Sequence, residues 1–431
     1  MNIKGGYNPV KNKKSVRNSA KLVAAVLVML NASIAFASPV ELSLTDSVAL
    51  ALKNNPSIKM AQSDKEKSKW GVDEAQAGKL PTVSLGSSYN LKDNNPTGGD
   101  DLSNSLRMNW QLYSGGRVEG QIDQAKRGVD VADLGVEKTK QQLKLDTTTA
   151  YFSILQTKNL VEVNQQTVTN LQEHLTSVQA KYDAGVVAKS DVLRAEVELA
   201  NAQQNLIKAQ NNYDLAVSGL LNTMTIDPGT ELALTDTLQY KKYERSLDDS
   251  LLAAQSRPDV AQAEANVKIA DTSIKMAKSG KLPSVSLSAS DGWSGSVLPD
   301  SDDWTVGLSA SWSLFDAGST NAKVKQADAS LDKAKEQAVQ VKNSAALEVR
   351  QNYLSMQEAE KRIDTNKVAV GKAEEDLVIA REKYNAGVGT NLDVIDAQLA
   401  LTQAKTNEIQ ALYDYNVNVA KIDKAIGLKA E

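Results

Sequence analysis

The chain writes the same text twice. KYDAGVVAKSDVLRA, residues 181–195, returns 202 positions later as KYNAGVGTNLDVIDA, residues 383–397. The same offset relates GKLPTVSL (78–85) to GKLPSVSL (280–287), Trp110 to Trp312, Tyr151 to Tyr353, Pro56 to Pro258 and Tyr213 to Tyr415. The register holds without a gap from about residue 46 to 224, against 248 to 426. Self-similarity at so long a period means a duplicated supersecondary unit, several times longer than a solenoid repeat. Any fold for this chain must seat two equivalent units in one body.

Each unit reads in the same order. The pattern predicts a polar helix over 45–78 and again over 246–280, with Pro56 and Pro258 early in it. Lys-Leu-Pro then stops the helix, because proline disfavours helical geometry in the residue before it. Two strands follow. In 104–113 the even positions are Leu106, Met108, Trp110 and Leu112, and the odd ones are polar. In 303–314 the even positions are Trp304, Val306, Leu308, Ala310, Trp312 and Leu314, and the odd ones are mostly Thr, Gly or Ser. Such alternation gives a strand one apolar and one polar face. Weaker alternation over 83–91 and 285–293 supplies the partner strands, joined through polar loops.

A very long helical pattern comes next, over 118–184 and 321–386. At 1.5 Å per residue it spans on the order of 100 Å. Its Ala, Gln, Lys, Val and Leu content suits coiled-coil-like packing. Gly185 and Gly387 break it, as glycine does at a helix C-terminus. Ser190 or Asn391 is placed to cap the returning helix, with Asp191 or Asp393 in its first turn. The strands therefore lie at one end of a long body and the two hairpin turns at the other.

Strands of about 10 residues with one apolar face are long enough to cross an outer membrane. Four cannot close a barrel, so the chain must oligomerise. Tyr89, Trp110, Tyr113, Trp293, Trp304, Trp312 and Phe315 fall near strand ends, which suits aromatic girdles against outer membrane lipid. A soluble sandwich packed by the same aromatics is the competing arrangement.

Composition narrows the function. The chain has no Cys and one His, His174, so disulfides, thiolate metal sites and cysteine nucleophiles are excluded. Residues 1–37 read as a signal peptide: Lys4, Lys11, Lys13, Lys14, Arg17 and Lys21 precede the apolar LVAAVLVML, and Ala-Phe-Ala closes it. Removing those six basic residues takes the formal charge from −4 to −10, an acidic balance that argues against nucleic acid as a partner. No G-x-S-x-G or Walker loop occurs, and no metal cluster can be built on one His, so neither an enzyme nor a cofactor site is expected. His174 lies in a polar helix and is expected to be solvated.

Taken together, the duplicated order of helix, Leu-Pro, two strands, Gly-rich entry, long helix, Tyr-x-x-Gly turn and Asp-Val helix resembles the TolC-like outer membrane efflux protein family. The resemblance covers essentially the whole chain after residue 37, and YDAGVVAKSDV and YNAGVGTNLDVIDA carry it most specifically. It implies a mixed α/β membrane protein: a homotrimer sharing one 12-stranded barrel, four transmembrane strands per protomer, that continues into a coiled-coil-like helical tunnel in the periplasm. The resemblance also implies an exit duct for small molecules or proteins, served by a periplasmic adaptor and an inner-membrane pump. The expected division is a first repeat over 38–224 (β-hairpin 80–113, helical hairpin 118–224), a linker over 225–247 forming part of an equatorial collar, and a second repeat over 248–431 (β-hairpin 282–315, helical hairpin 320–427).

The resemblance further places Asp393 and Asp396 at a tunnel constriction, Asp191 and Ser190 at the matching place in the first repeat, and Tyr384 among the residues that hold the end closed. The family's namesake has an arginine two residues past the turn glycine, where this chain has Gly389. Asp393 and Asp396 share a helix face at i, i+3. In a trimer they would stack two carboxylate rings that attract cations. A helix-start carboxylate is the alternative for Asp393, and Asp191 in the same place supports it. Asp396 is matched by Arg194, so the repeats differ there. The tips, Gly185, Val186, Val187, Gly387 and Val388, form a partly apolar end fit to receive an adaptor's α-hairpin. The rival to the duct is a periplasmic or surface coiled-coil scaffold or adhesin.

Overall fold

The structure is a computed structural model, and it describes residues 40–90, 101–295 and 303–430. The expected signal peptide and most of the loops between paired strands lie outside the described residues. In chain order the elements are β1 (Val40–Leu42), α1 (Leu44–Asn54), α2 (Pro56–Ala77), β2 (Thr82–Asn90), β3 (Asp101–Tyr113), α3 (Arg117–Asp183), α4 (Lys189–Met224) and β4 (Leu232–Leu234). Then follow α5 (Leu247–Ala253), α6 (Pro258–Lys278), β5 (Ser284–Ser294), β6 (Trp304–Ser311), α7 (Ser319–Asn385) and α8 (Asn391–Ala425).

The first helix of each repeat is two helices, not one. Pro56 takes the first position of α2, and Asn55 ahead of it is extended (ψ 130°), its Oδ1 accepting from Ser57 N at 2.9 Å. Pro258 opens α6 behind Arg257 (ψ 147°) in the same way. The restriction a proline places on its predecessor breaks the helix, and its missing N–H costs nothing at the first helical position.

The strands make one antiparallel sheet in the order β2-β3-β5-β6, so β2 and β6 are open edges. Residues directly opposite one another share a face. One face gathers Val83, Leu85, Leu106, Met108, Trp110, Leu287, Val306 and Leu308. The other carries Ser84, Gly86, Ser105, Asn109, Ser286, Ser288, Ser290, Gly307 and Ser309, with one cation, Arg107. The apolar face is not covered: Leu85 is 70% exposed and Leu308 69%.

α3 and α7 are 67 residues each, on the order of 100 Å long. In the half nearer the sheet the helices pack in the order α2, α3, α6, α7, which is the order of the strands that follow or precede them. Toward the far end the order is α4, α3, α8, α7. The core is a set of thin clusters along these seams. One joins β1, α1, α3 and α4 around Tyr151, Ile154, Leu220, Leu221 and Met224; another joins α7 and α8 around Val349, Ala359, Tyr415 and Ile422. Between the repeats, Asp227 turns the chain, its Oδ1 accepting from Gly229 N at 2.8 Å, and β4 pairs in parallel with β1.

Candidate functional site

The twin phrases of the sequence form the two helical hairpin turns. Both are closed the same way. Gly185 (φ 73°) and Gly387 (φ 79°) occupy the left-handed conformation that ends a helix. Val186 N then donates to Lys181 O at 2.8 Å, and Val388 N to Lys383 O at 3.0 Å. The valines that follow stand out from the end, Val186 at 70% and Val388 at 80% exposed, while Val187 packs against the tip cluster.

The return helices start differently from expectation. α8 is capped by Thr390, not Asn391: Thr390 Oγ1 accepts from Asp393 N at 3.2 Å, and Asp393 Oδ2 accepts from Thr390 N at 2.8 Å. This reciprocal box leaves Asn391 free for another contact. The bonds from Thr390 hold the Asp393 carboxyl below its ordinary range. In α4 the cap position is Ala188 and no side chain caps the helix; Ser190 is already helical and exposed. Asp191 lies in the first turn, half-buried. Asp396, one turn beyond Asp393 on the same face, is exposed and makes no ion pair among the described residues.

Tyr384 is the centre of the tip. It is buried with Val178, Val192, Leu377 and Val394. The Lys181 ammonium sits 3.9 Å from its ring centroid and also donates to its backbone carbonyl. Burial, with the Asp191 carboxylate nearby, raises the phenol's pKa, and Tyr384 Oη has no hydrogen-bond partner among the described residues.

His174 corrects the expectation of a solvated residue. It is buried, its ring meets Tyr384 edge-on with centroids 5.1 Å apart, and its Nε2 lies 2.6 Å from Asn391 Oδ1. Asn391 Nδ2 passes the link on to Asp191 O at 3.0 Å. Farther from the tip, Asn170 Nδ2 donates to Gln398 Oε1 at 2.8 Å and the Thr167 and Thr402 hydroxyls pair at 2.8 Å. The seam between the two repeats is therefore a polar ladder of α3 on α8. The signal was present: 167, 170/171, 174 and 178 recur at helical spacing, and only the polarity of three of them hid the buried stripe.

At the opposite end, the aromatics fall in two belts. Tyr89, Trp293 and Trp304 lie toward the inter-strand loops; Trp110, Tyr113, Trp312 and Phe315 lie toward the helices. Trp110 Nε1 donates to Lys79 O at 2.8 Å, and its repeat-mate Trp312 Nε1 donates to Lys281 O at 3.0 Å. Each ties the sheet to the end of the helix before it. β6 ends at Ser311, so Trp312 and Phe315 follow the strand instead of belonging to it. Trp293 pairs with Asn104 and so shares the apolar face with Leu287, yet it is only 8% exposed.

The chain resembles known proteins in sequence and in fold. The pattern of the family described as "Outer membrane efflux protein" matches residues 48–224 and again 251–428. Outer membrane protein TolC of Escherichia coli (strain K12) is 27% identical over 395 residues, covering 87% of this chain and 80% of that one. The outer-membrane channel OprN superposes with a TM-score of 0.77 at 21% identity, covering 89% of each chain. The open state of the MtrE outer membrane channel of Neisseria gonorrhoeae superposes with a TM-score of 0.78 at 20% identity, covering 90% of each. The family pattern falls on both halves of the duplication and spans most of the sequence, so the chain belongs to the outer membrane efflux protein family.

Proposed function

We propose that three copies of this outer-membrane chain close into one duct, the exit channel of an export machine that also contains a periplasmic adaptor and an inner-membrane pump. One observation carries it: a four-stranded sheet with open edges presents an uncovered apolar face on one side and a polar face on the other. In water the apolar face and the edges would be a liability. In a bilayer, with β6 of one copy paired to β2 of the next, every strand is satisfied and three sheets make a barrel of 12 strands.

The helices support the same operator. α7 flanks the bundle on one side and α2 and α4 on the other, in the same sense as β6 and β2. Their outer faces keep exposed apolar side chains: Leu193, Val197, Ile207 and Leu215 on α4, and Val339, Leu347, Leu354 and Val368 on α7. A head-to-tail contact of α7 on α4 buries both stripes and closes as a ring.

Within that ring Asp393 and Asp396 line the periplasmic constriction, with Asp191 and Ser190 beside it and Tyr384 holding it. The tips at Gly185, Val186, Val187, Gly387 and Val388 receive the adaptor. Tyr89, Trp110, Tyr113, Trp304, Trp312 and Phe315 face the bilayer interfaces. Residues 225–247 form part of a collar around the tunnel.

The chain lacks cysteine, which makes the assembly directly testable. Single cysteines introduced along β2 and along β6 are combined in pairs and oxidised. Crosslinks that ladder to a covalent trimer in outer-membrane preparations are expected. A chain that extracts without detergent and crosslinks at neither edge is the scaffold instead.

A further inference from the structure

The polar face of the sheet carries one cation that the fold does not use. Arg107 stands midway along β3, opposite Ser84 on β2 and Ser290 on β5. Its diagonal neighbours on that face include Gly86 and Gly292, which leave its guanidinium room and offer it no acid. The side chain is exposed and makes no hydrogen bond or ion pair among the described residues. The second repeat has Ser309 at the equivalent position, so a strand of this kind does not require a cation there. Arginine carries five donors in a fixed fork suited to phosphate and carboxylate oxygens.

We infer that Arg107 is a selectivity residue: in the closed barrel three Arg107 guanidiniums ring the lumen at mid-height and bind multivalent anions. This rests on the trimeric duct proposed above. It gives the duct two stations of opposite sign, acidic at the helical tips and basic in the barrel, on the order of 100 Å apart. Anionic groups that have passed the tips meet an attractive ring before the exit.

The probe is inorganic tripolyphosphate added to the barrel side of single channels in a planar bilayer. Wild-type channels are expected to be blocked. Arg107→Gln should weaken that block at least about tenfold, and Arg107→Lys, which keeps the charge, should retain most of it. Equal block of wild type and Arg107→Gln, or no block of the wild type, overturns the inference while leaving the duct intact. A folded wild-type protein that forms no channel at all overturns the duct, and this inference with it.

Discussion

His174 Nε2 and Asn391 Oδ1 meet at 2.6 Å and join the first repeat to the second inside one protomer. The contact is buried, and Asn391 extends it to the backbone of Asp191. Removing one partner strands the other. Asn391→Ala should cost about 1–3 kcal/mol of stability, read by denaturant titration of the detergent-solubilised protein. An unchanged midpoint would show that this contact does not hold the two repeats together.

The same contact sets a pH dependence. Burial holds the His174 pKa below its ordinary 6.5, helped by the Arg381 and Lys181 cations and opposed by the Asn391 bond. Below pH 6.5 the unfolded chain therefore binds a proton that the folded chain resists. The contribution is complete above 6.5 and is lost as pH falls from there through the lowered folded-state value. Acidification should lower the Tm of the wild type more than that of His174→Gln. Equal losses would show that His174 does not sense pH.

Gly389 lies two residues past the second turn glycine, and its surroundings make substitution costly. A Cβ there would lie 2.9 Å from Lys383 Cβ and 3.0 Å from Tyr384 N. Gly389→Arg should therefore loosen the tip instead of tightening it. Raised single-channel conductance or lowered stability is expected; a tighter, more stable closed state would contradict the packing argument.

Arg257 anchors the middle of the helical body, where the start of α6 meets α7 and the end of α8. It is buried, bonded to Asp259 at 2.8 Å, Glu348 at 2.6 Å and Ala425 O at 3.1 Å. Removing one member of a buried ion network leaves its partners uncompensated. Arg257→Ala should cost about 3 kcal/mol, seen as a lower unfolding midpoint. Arg257→Lys should recover little, since an ammonium cannot reproduce the guanidinium's bridging geometry.

Much of this architecture was legible in the sequence because duplication reports every element twice. The strands were clear because their alternation is clean, and the turns because glycine is favoured at the positive φ that Gly185 and Gly387 adopt. Finer features failed for local reasons. Pro56 and Pro258 read as interruptions early in a helix, whereas each opens a new one. Thr390 and Asn391 are both good caps, and only the reciprocal bond with Asp393 selects Thr390. Equivalent residues also diverge: Tyr151 is fully buried while Tyr353 is half-exposed, and Tyr415 is fully buried while Tyr213 is not. A duplicated sequence fixes equivalent positions along the chain, but β1 and the linker pack asymmetrically, with Tyr151 Oη donating to Asp236 and Tyr415 Oη to Lys241 O. The tip chemistry was half-legible. Asp393 and Asp396 stood out by charge, and His174 did not because its polar surroundings looked like solvent-facing helix.

The most direct test is ion conductance across a planar bilayer, comparing wild type with a variant carrying Asp393→Asn and Asp396→Asn. Asparagine at 393 can still accept from Thr390 N, and both changes remove charge. Cation-selective channels whose selectivity falls in the variant are expected. Folded protein that conducts no ions, and stays in solution without detergent, would contradict it.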